Sequence, residues 1–184
     1  MSHGETPNGL NHHARSQAPL LNLPNVPGLG GAIAGFGGGL AMIVIAAMLS
    51  VATGGDVWRE PREIAAPLVG IDSPIGVAVG TVLHFLTAGL LGGVFGIVKR
   101  RALRLPSDYG VPVLAGLIYG LMIWFVAYFL VLPVLNPALL DTYAPSFVIQ
   151  HMVYGVVTGL IYSVLRPAPY ARQQGDRTIL AGAD

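Results

Sequence analysis

Hydrophobic positions in this chain are gathered into four long runs, and the polar ones are pushed to the two ends and into the gaps. The first run, residues 28–52, reads GLGGAIAGFGGGLAMIVIAAMLSVA and holds no charge. At a rise of about 1.5 Å per residue, a helix of that length crosses a hydrocarbon core of roughly 30 Å. The second run, 74–98, is charge-free except for His84 and stops at Lys99-Arg100-Arg101. The third covers 111–135, and the fourth covers 146–165 and stops at Arg166-Pro167. The pattern predicts four transmembrane helices within a membrane domain of residues 28–166. A secretory signal has a basic leader and an apolar stretch of only about 7–15 residues, so the first run is expected to stay and span. Residues 1–27 and 167–184 are rich in Pro, Gly, Asn, Gln and Ser and are expected to be flexible tails without a core.

Composition sharpens the picture. Of 184 residues, 53% are hydrophobic and 10% charged, against roughly 25% charged in soluble proteins. Between Pro27 and Val98 the ionisable residues other than His84 all fall between Asp56 and Asp72, which excludes a soluble enzyme domain. A net charge of +1 with basic residues flanking apolar runs argues against a nucleic-acid partner. The absence of cysteine removes disulfides, thiolate metal sites, iron–sulfur clusters and a Cys nucleophile together.

Lys and Arg set the expected orientation, because cytoplasmic loops carry the excess. Arg15, the group Lys99, Arg100, Arg101 and Arg104, and the tail residues Arg166, Arg172 and Arg177 fall on one side, and Arg59 and Arg62 on the other. Both termini are therefore expected in the cytoplasm. Trp58, Tyr143 and Tyr170 lie near expected span ends, at the headgroup level that suits amphipathic rings.

The two halves of the chain correspond. His84, Ala88, Gly92, Gly96 and Lys99 align with His151, Gly155, Gly159, Ser163 and Arg166, each pair 67 residues apart, while Ala34-Gly35 and Gly39 align with Ala115-Gly116 and Gly120 at a spacing of 81. Each half starts on the same side and has an even number of spans, so the repeat is parallel. The fold class expected is an all-α integral membrane protein whose four transmembrane helices form two tandem helical hairpins.

Residues four apart share a helix face. Gly35 and Gly39, Gly92 and Gly96, Gly116 and Gly120, and Gly155 and Gly159 are thus candidate helix-packing stripes, where small side chains let backbones approach. His84 and His151 head two of these stripes and are expected to point into the bundle. Each lies 15 residues from its terminal cation, about 22 Å along a helix, so the two share a depth. Neutral imidazoles there can ligate a haem or metal, can line a proton or polar-solute path, or can simply bond a backbone carbonyl, Thr87, Thr158, Gln150 or a Tyr hydroxyl. A zinc site would have to recruit Asp56, Glu60, Glu63, Asp72 or Asp141 from the loops. His3, His12 and His13 in the N-terminal tail read as solvated.

The first outer loop, GGDVWREPREIAAPLVGIDSP, carries four acidic and two basic residues. Val57, Trp58, Ile64, Ala65 and Leu68 give a short helical piece after Pro61 an apolar face, and capping of the bundle is the expected role. The third run bears Tyr119, Trp124, Phe125, Tyr128 and Phe129, followed by Pro133, which is expected to kink the helix near the depth of the histidines. No G-x-S-x-G, H-E-x-x-H or Walker-type motif occurs, and GFGGG (Phe36 to Gly39 preceded by Gly35) lies inside an apolar run rather than after a strand. The chain is therefore read as a non-enzyme without catalytic residues.

AGFGGG in the first run, WREPRE in the outer loop, and HFLTAGLLGG and HMVYGVVTG in the second and fourth runs resemble the small four-span bacterial inner-membrane proteins of the YagU type, over roughly Gly28 to Arg166. The resemblance implies a multi-pass protein of the bacterial inner membrane and carries over no catalytic residues. Three functions follow as expectations. The first is an accessory or structural subunit, without cofactor, whose partners are lipid and other membrane subunits of a respiratory or photosynthetic complex, or a second copy of itself. The second is a module binding haem b or a metal through His84 and His151. The third is a small permease.

Overall fold

The computed structural model describes residues 26–103, 105, 110–141 and 144–166. Residues 1–25 and 167–184 of the expected tails and most of the loop holding Arg104 lie outside the described residues, as do Tyr143 and Tyr170; Pro27, expected in the tail, begins the first helix. The described chain is helical, with no strand. Helix α1 covers Pro27–Ala52, α2 Arg59–Val69, α3 Gly76–Ile97, α4 Val111–Val126, α5 Leu132–Leu135 and α6 Ala144–Leu165. Four helical stretches are long and apolar enough to cross a membrane: Gly28–Ala52, Gly76–Leu103, Val111–Leu135 and Pro145–Leu165.

Local chemistry sets the ends. Pro27 sits in the first turn of α1, where a missing N–H removes no helix bond. The helix stops where Thr53 folds its hydroxyl back to the Leu49 carbonyl at 3.0 Å and Gly54 turns with φ +71°. Gly110, at φ +77°, starts α4, with Pro112 again in the first turn. Past Ile97 the chain does not leave the helix at Lys99 but continues as a π-helical turn, Val98–Leu103. Lys99 is accordingly buried, donating to the Ser163 hydroxyl at 2.6 Å with its ammonium over the Tyr162 ring, rather than reaching for headgroups as a span-end anchor would.

Pro133 has no N–H and its ring crowds the carbonyl one turn back. The helix answers with a π-turn over Ala127–Val131 immediately before it, then the single α-turn of α5 and a 3₁₀ turn, Pro137–Asp141. The irregularity expected from the proline thus spreads over the whole outgoing end of the third span.

Helix α1 packs against α3 and α6, and α4 packs against α6. The contacts are backbone on backbone. A Cβ added to Gly35 would run into the Ala88 carbonyl oxygen, and one on Gly92 into the Gly31 carbonyl. In the other pair, Gly116 meets the Gly155 carbonyl, Gly120 the His151 carbonyl and Gly159 the Pro112 carbonyl. Between the pairs, Gly38 accepts Thr158 and Tyr154 of α6, and Gly37 accepts Ile161. Side chains turned away are large and apolar: Leu40, Val44, Met48 and Val51 on α1 and Leu86, Leu90, Val94 and Ile97 on α3 are all exposed. Such faces suit lipid, which satisfies them without a protein partner.

Candidate functional site: a histidine chamber beneath a helical cap

Helix α2 is a lid on the end of the bundle far from Lys99. Its Pro61 carbonyl rests directly on Gly80 of α3, where no side chain would fit. Ala65 is fully buried and Ile64 packs on the cluster of Leu132, Leu139 and Phe147. Glu63, also buried, receives the Arg59 guanidinium at 2.6 Å, and its backbone carbonyl accepts from Asn136 Nδ2 at 2.7 Å. Asp56 caps the start of this segment, accepting the Trp58 N–H at 2.9 Å and an ion pair from Arg62. Those donors, the backbone N–H first, hold the exposed Asp56 carboxyl below its ordinary range. Trp58 and Leu68 point away and are exposed. The helix begins two residues before Pro61, which its first turn tolerates.

Beneath the lid three cavities lie in series and share walls. A wide mouth of about 490 Å³ is bounded by Ser50, Asp56, Arg59, Glu60 and Ser146. A neck of about 70 Å³ shares Ser50, Asp56 and Glu60 with the mouth and reaches Met42, His84 and Gln150. A chamber of about 170 Å³, itself open on one side, shares Met42, His84 and Phe147 with the neck and is also lined by His151, Leu91 and Tyr154. Glu60 guards the neck: its Oε1 accepts Gln150 Nε2 at 2.8 Å, and Gln150 also sits 3.1 Å from the Ser146 hydroxyl. Burial raises the Glu60 carboxyl above its ordinary range, with the Gln150 bond opposing and Glu63 adding to the rise.

The two histidines do line one chamber. His84 Nε2 lies 3.1 Å from the Gly39 carbonyl oxygen on α1, and His151 Nδ1 lies 2.8 Å from the Phe147 carbonyl one turn back on its own helix. A carbonyl only accepts, so each of those nitrogens carries the proton, and in the neutral ring the other nitrogen keeps a lone pair. Positions 67 residues apart thus serve the same cavity through different nitrogens and different helices. Of the ring partners expected from sequence, the backbone carbonyl is the one used. Gln150 turns to Glu60, and Thr87 is exposed on the chamber wall.

All eight candidate packing glycines sit on helix contacts. Gly35, Gly92 and Gly96 join α1 to α3, and Gly116, Gly120, Gly155 and Gly159 join α4 to α6. Gly39 abuts Ala88 and the His84 ring. Two features escape the small-residue pattern. Along α6 and the residue that follows it, Gln150, Tyr154, Thr158, Tyr162 and Arg166 recur every fourth residue and all are buried. Half of that span is buried, against 11% of the third, because this polar stripe has to be enclosed by protein. Tyr154 donates to the Ala88 carbonyl at 2.7 Å and Tyr162 to the Gly96 carbonyl at 3.0 Å, while Tyr119 of α4 donates to the Leu91 carbonyl at 2.6 Å. Three tyrosines therefore tie the second helix pair to α3. The four-residue rhythm of the stripe was visible beside the glycine rhythm one position away. Met42 is the other feature, an unremarkable residue in an apolar run until the fold turns it to the histidines.

What the chamber can hold follows from its size and donors. Among the described residues no group of three or more His, Cys, Asp or Glu could surround a metal ion; the side chain of Asp141, expected among the zinc recruits, lies outside the described residues. A chamber of about 170 Å³ is smaller than the roughly 300–1,000 Å³ of ordinary small-molecule pockets. The Tyr154 hydroxyl meets the Ala88 carbonyl at 2.7 Å on the wall of the same chamber.

Comparison with known proteins gives a family. The model of DUF6789, a family of unknown function, matches residues 26–173. This chain belongs to the DUF6789 family. The match takes in all four membrane-length helices together with α2, so lid and bundle belong to one family unit. No curated protein and no solved structure matches. An uncharacterised family of membrane-type helices agrees with the expectation from sequence; the match does not extend to the YagU type.

Proposed function

We propose that this DUF6789 protein is a non-enzymatic accessory subunit of the bacterial inner membrane, a rigid four-helix unit that docks onto a larger respiratory or photosynthetic complex. The observation that supports it is the backbone-on-backbone seam in both helix pairs, at Gly35 against Ala88 and at Gly116 against Gly155. Those contacts obey the spacings of 81 and 67 residues found in the sequence, which favours reading the pairs as a parallel repeat of two hairpins. With both termini cytoplasmic, as the Lys and Arg distribution argues, the lid and chamber face outward. A permease of alternating access rocks one half against the other. Here the hydroxyls of Tyr119, Tyr154 and Tyr162 and the close fit of Gly37 and Gly38 on α6 oppose such rocking.

The test is purification of the tagged chain from its own membranes in mild detergent, followed by native mass spectrometry. Stoichiometric recovery with other membrane subunits is the expected result. Recovery as a lone chain, or uptake of a solute by vesicles containing only this protein, would overturn the subunit reading. A haem between His84 and His151 is a second reading, favoured by their shared chamber and opposed by its size. A Soret band lost in both His84→Ala and His151→Ala would establish it, and a colourless protein would remove it.

A further inference from the structure

We propose that the chamber is a site for a single cuprous ion, held by the imidazoles of His84 and His151 and the thioether of Met42. The inference goes beyond the subunit reading and rests only on the chamber. All three side chains line the same cavity of about 170 Å³, whose remaining walls are almost wholly apolar, among them Leu83, Leu91 and Phe147. Thioether and imidazole are a soft donor set, which selects Cu(I) over the hard divalent ions.

Three further observations point the same way. First, each ring is held by a backbone carbonyl through one nitrogen, Gly39 for His84 and Phe147 for His151. That is the outer-shell arrangement that fixes the tautomer of a metal-binding histidine and leaves the other nitrogen to ligate. Second, the donors are neutral and the lining is mostly apolar, so the site offers an ion little charge compensation, and a monovalent ion needs less of it than a divalent one. No set of three His, Cys, Asp or Glu exists among the described residues to offset a divalent charge. Third, an acidic approach adjoins the chamber: Asp56 and Glu60 line the mouth and neck, where their carboxylates attract a cation, and Met42 and His84 line both neck and chamber.

The purified full-length chain in detergent, with His3, His12 and His13 replaced by Ala so that the tail cannot compete, is titrated anaerobically with Cu(I) against a colorimetric Cu(I) chelator. X-ray absorption is then recorded on the loaded protein. One Cu(I) per chain is expected, with a first shell of two nitrogens and one sulfur. His84→Ala and His151→Ala should each lower affinity by at least about 10–100-fold, the scale of losses seen even for outer-shell changes, and Met42→Leu should remove the sulfur signal while leaving weaker two-nitrogen binding. Failure to take up Cu(I) would overturn the proposal, as would copper bound without sulfur or copper indifferent to all three substitutions. The absorption spectrum of the chain with native Met42, His84 and His151 decides the matter even where a histidine variant fails to fold. None of these outcomes bears on recovery with partner subunits, so the two proposals fail separately.

Discussion

The two ends of this bundle are built on opposite rules. Toward Lys99 the helices touch through glycine backbones and the interior is filled by Phe95, Tyr119 and Tyr162, whose rings pack at 5.1 and 5.9 Å around Phe95. Toward α2 they part, and the space is taken up by a lid, a neck and a chamber. The difference starts in the side chains. Where α1 and α3 carry Gly31, Gly35 and Gly92 they meet; where they carry Met42, Ile43, Leu83 and His84 they are held apart. The same residue class that gives rigidity at one end would, extended to the other, have left nothing to line. Polar groups divide along the same boundary. Near Lys99 they serve as ties between helices; near α2 some, such as Asn136 on Glu63 and Gln150 on Glu60, tie the lid down, and others border open space.

That contrast can be broken most severely at the seam. Gly155→Ala places a methyl group against the Gly116 carbonyl oxygen, which being backbone cannot move aside. The expected loss is about 3 kcal/mol or more of bundle stability, at or beyond the upper end of ordinary overpacking, read as a large fall in the thermal midpoint in detergent. Gly93→Ala on α3, one residue past the seam residue Gly92, meets only the Gly28 carbonyl at 3.4 Å, so it should be neutral or slightly stabilising through helix propensity. Equal effects from both would show that the seam is not special. Next in size is Gly80→Ala, which collides with the Pro61 carbonyl under the lid. It should free α2 to proteolysis and amide exchange while leaving α1, α4 and α6 protected. Global loss of protection would mean that lid and bundle form one cooperative unit.

Much of this architecture could be read before folding, because its signals are local. The four apolar runs match, within a few residues, the four helices long and apolar enough to cross a membrane, since a membrane admits only a helix that satisfies its own backbone bonds. The histidine–glycine stripes likewise place His84 and His151 toward one interior. What could not be read depends on distant parts of the chain. The α6 stripe of Gln150, Tyr154, Thr158, Tyr162 and Arg166 has periodicity, yet its partners Glu60, Ala88 and Gly96 lie on other helices. Burial of Lys99 depends on Ser163, 64 residues away, and on a π-turn that no composition rule announces. Met42 gains meaning only when α1 is rotated so that Leu40, Val44 and Met48 face outward.

A milder change tests the border between the two ends. Tyr154→Phe keeps the ring and deletes the hydroxyl that reaches the Ala88 carbonyl at 2.7 Å. Interhelical hydrogen bonds in membranes average about 0.6 kcal/mol and reach about 1.7, so a small drop in thermal midpoint is expected. Removing this tie should also let α3 and α6 separate beside the chamber, which spin labels on the exposed Leu86 and Leu160 would report as a broader distance distribution. An unchanged distribution with lowered stability would assign Tyr154 to packing alone.

The smallest expected effect concerns pH and isolates the lid from everything below it. Glu60 is held above the ordinary carboxylate range chiefly because burial disfavours its charge. The folded protein therefore binds this proton more tightly than the unfolded chain does, and by linkage the folded state loses stability as pH rises through the window above the ordinary value of about 4.5. Glu60→Gln keeps an acceptor for Gln150 and carries no charge. Wild type and Glu60→Gln should match at pH 4 and diverge toward pH 7, with the variant showing the higher thermal midpoint. Asp56 shifts in the opposite sense, held low by the Trp58 N–H and Arg62, so its contribution is present above its ordinary range and lost as pH falls. Asp56→Asn should accordingly differ from wild type at pH 7 and converge with it in acid. Two carboxylates of the same mouth would then leave opposite signatures, separating the half-buried guard of the neck from the exposed cap beside it.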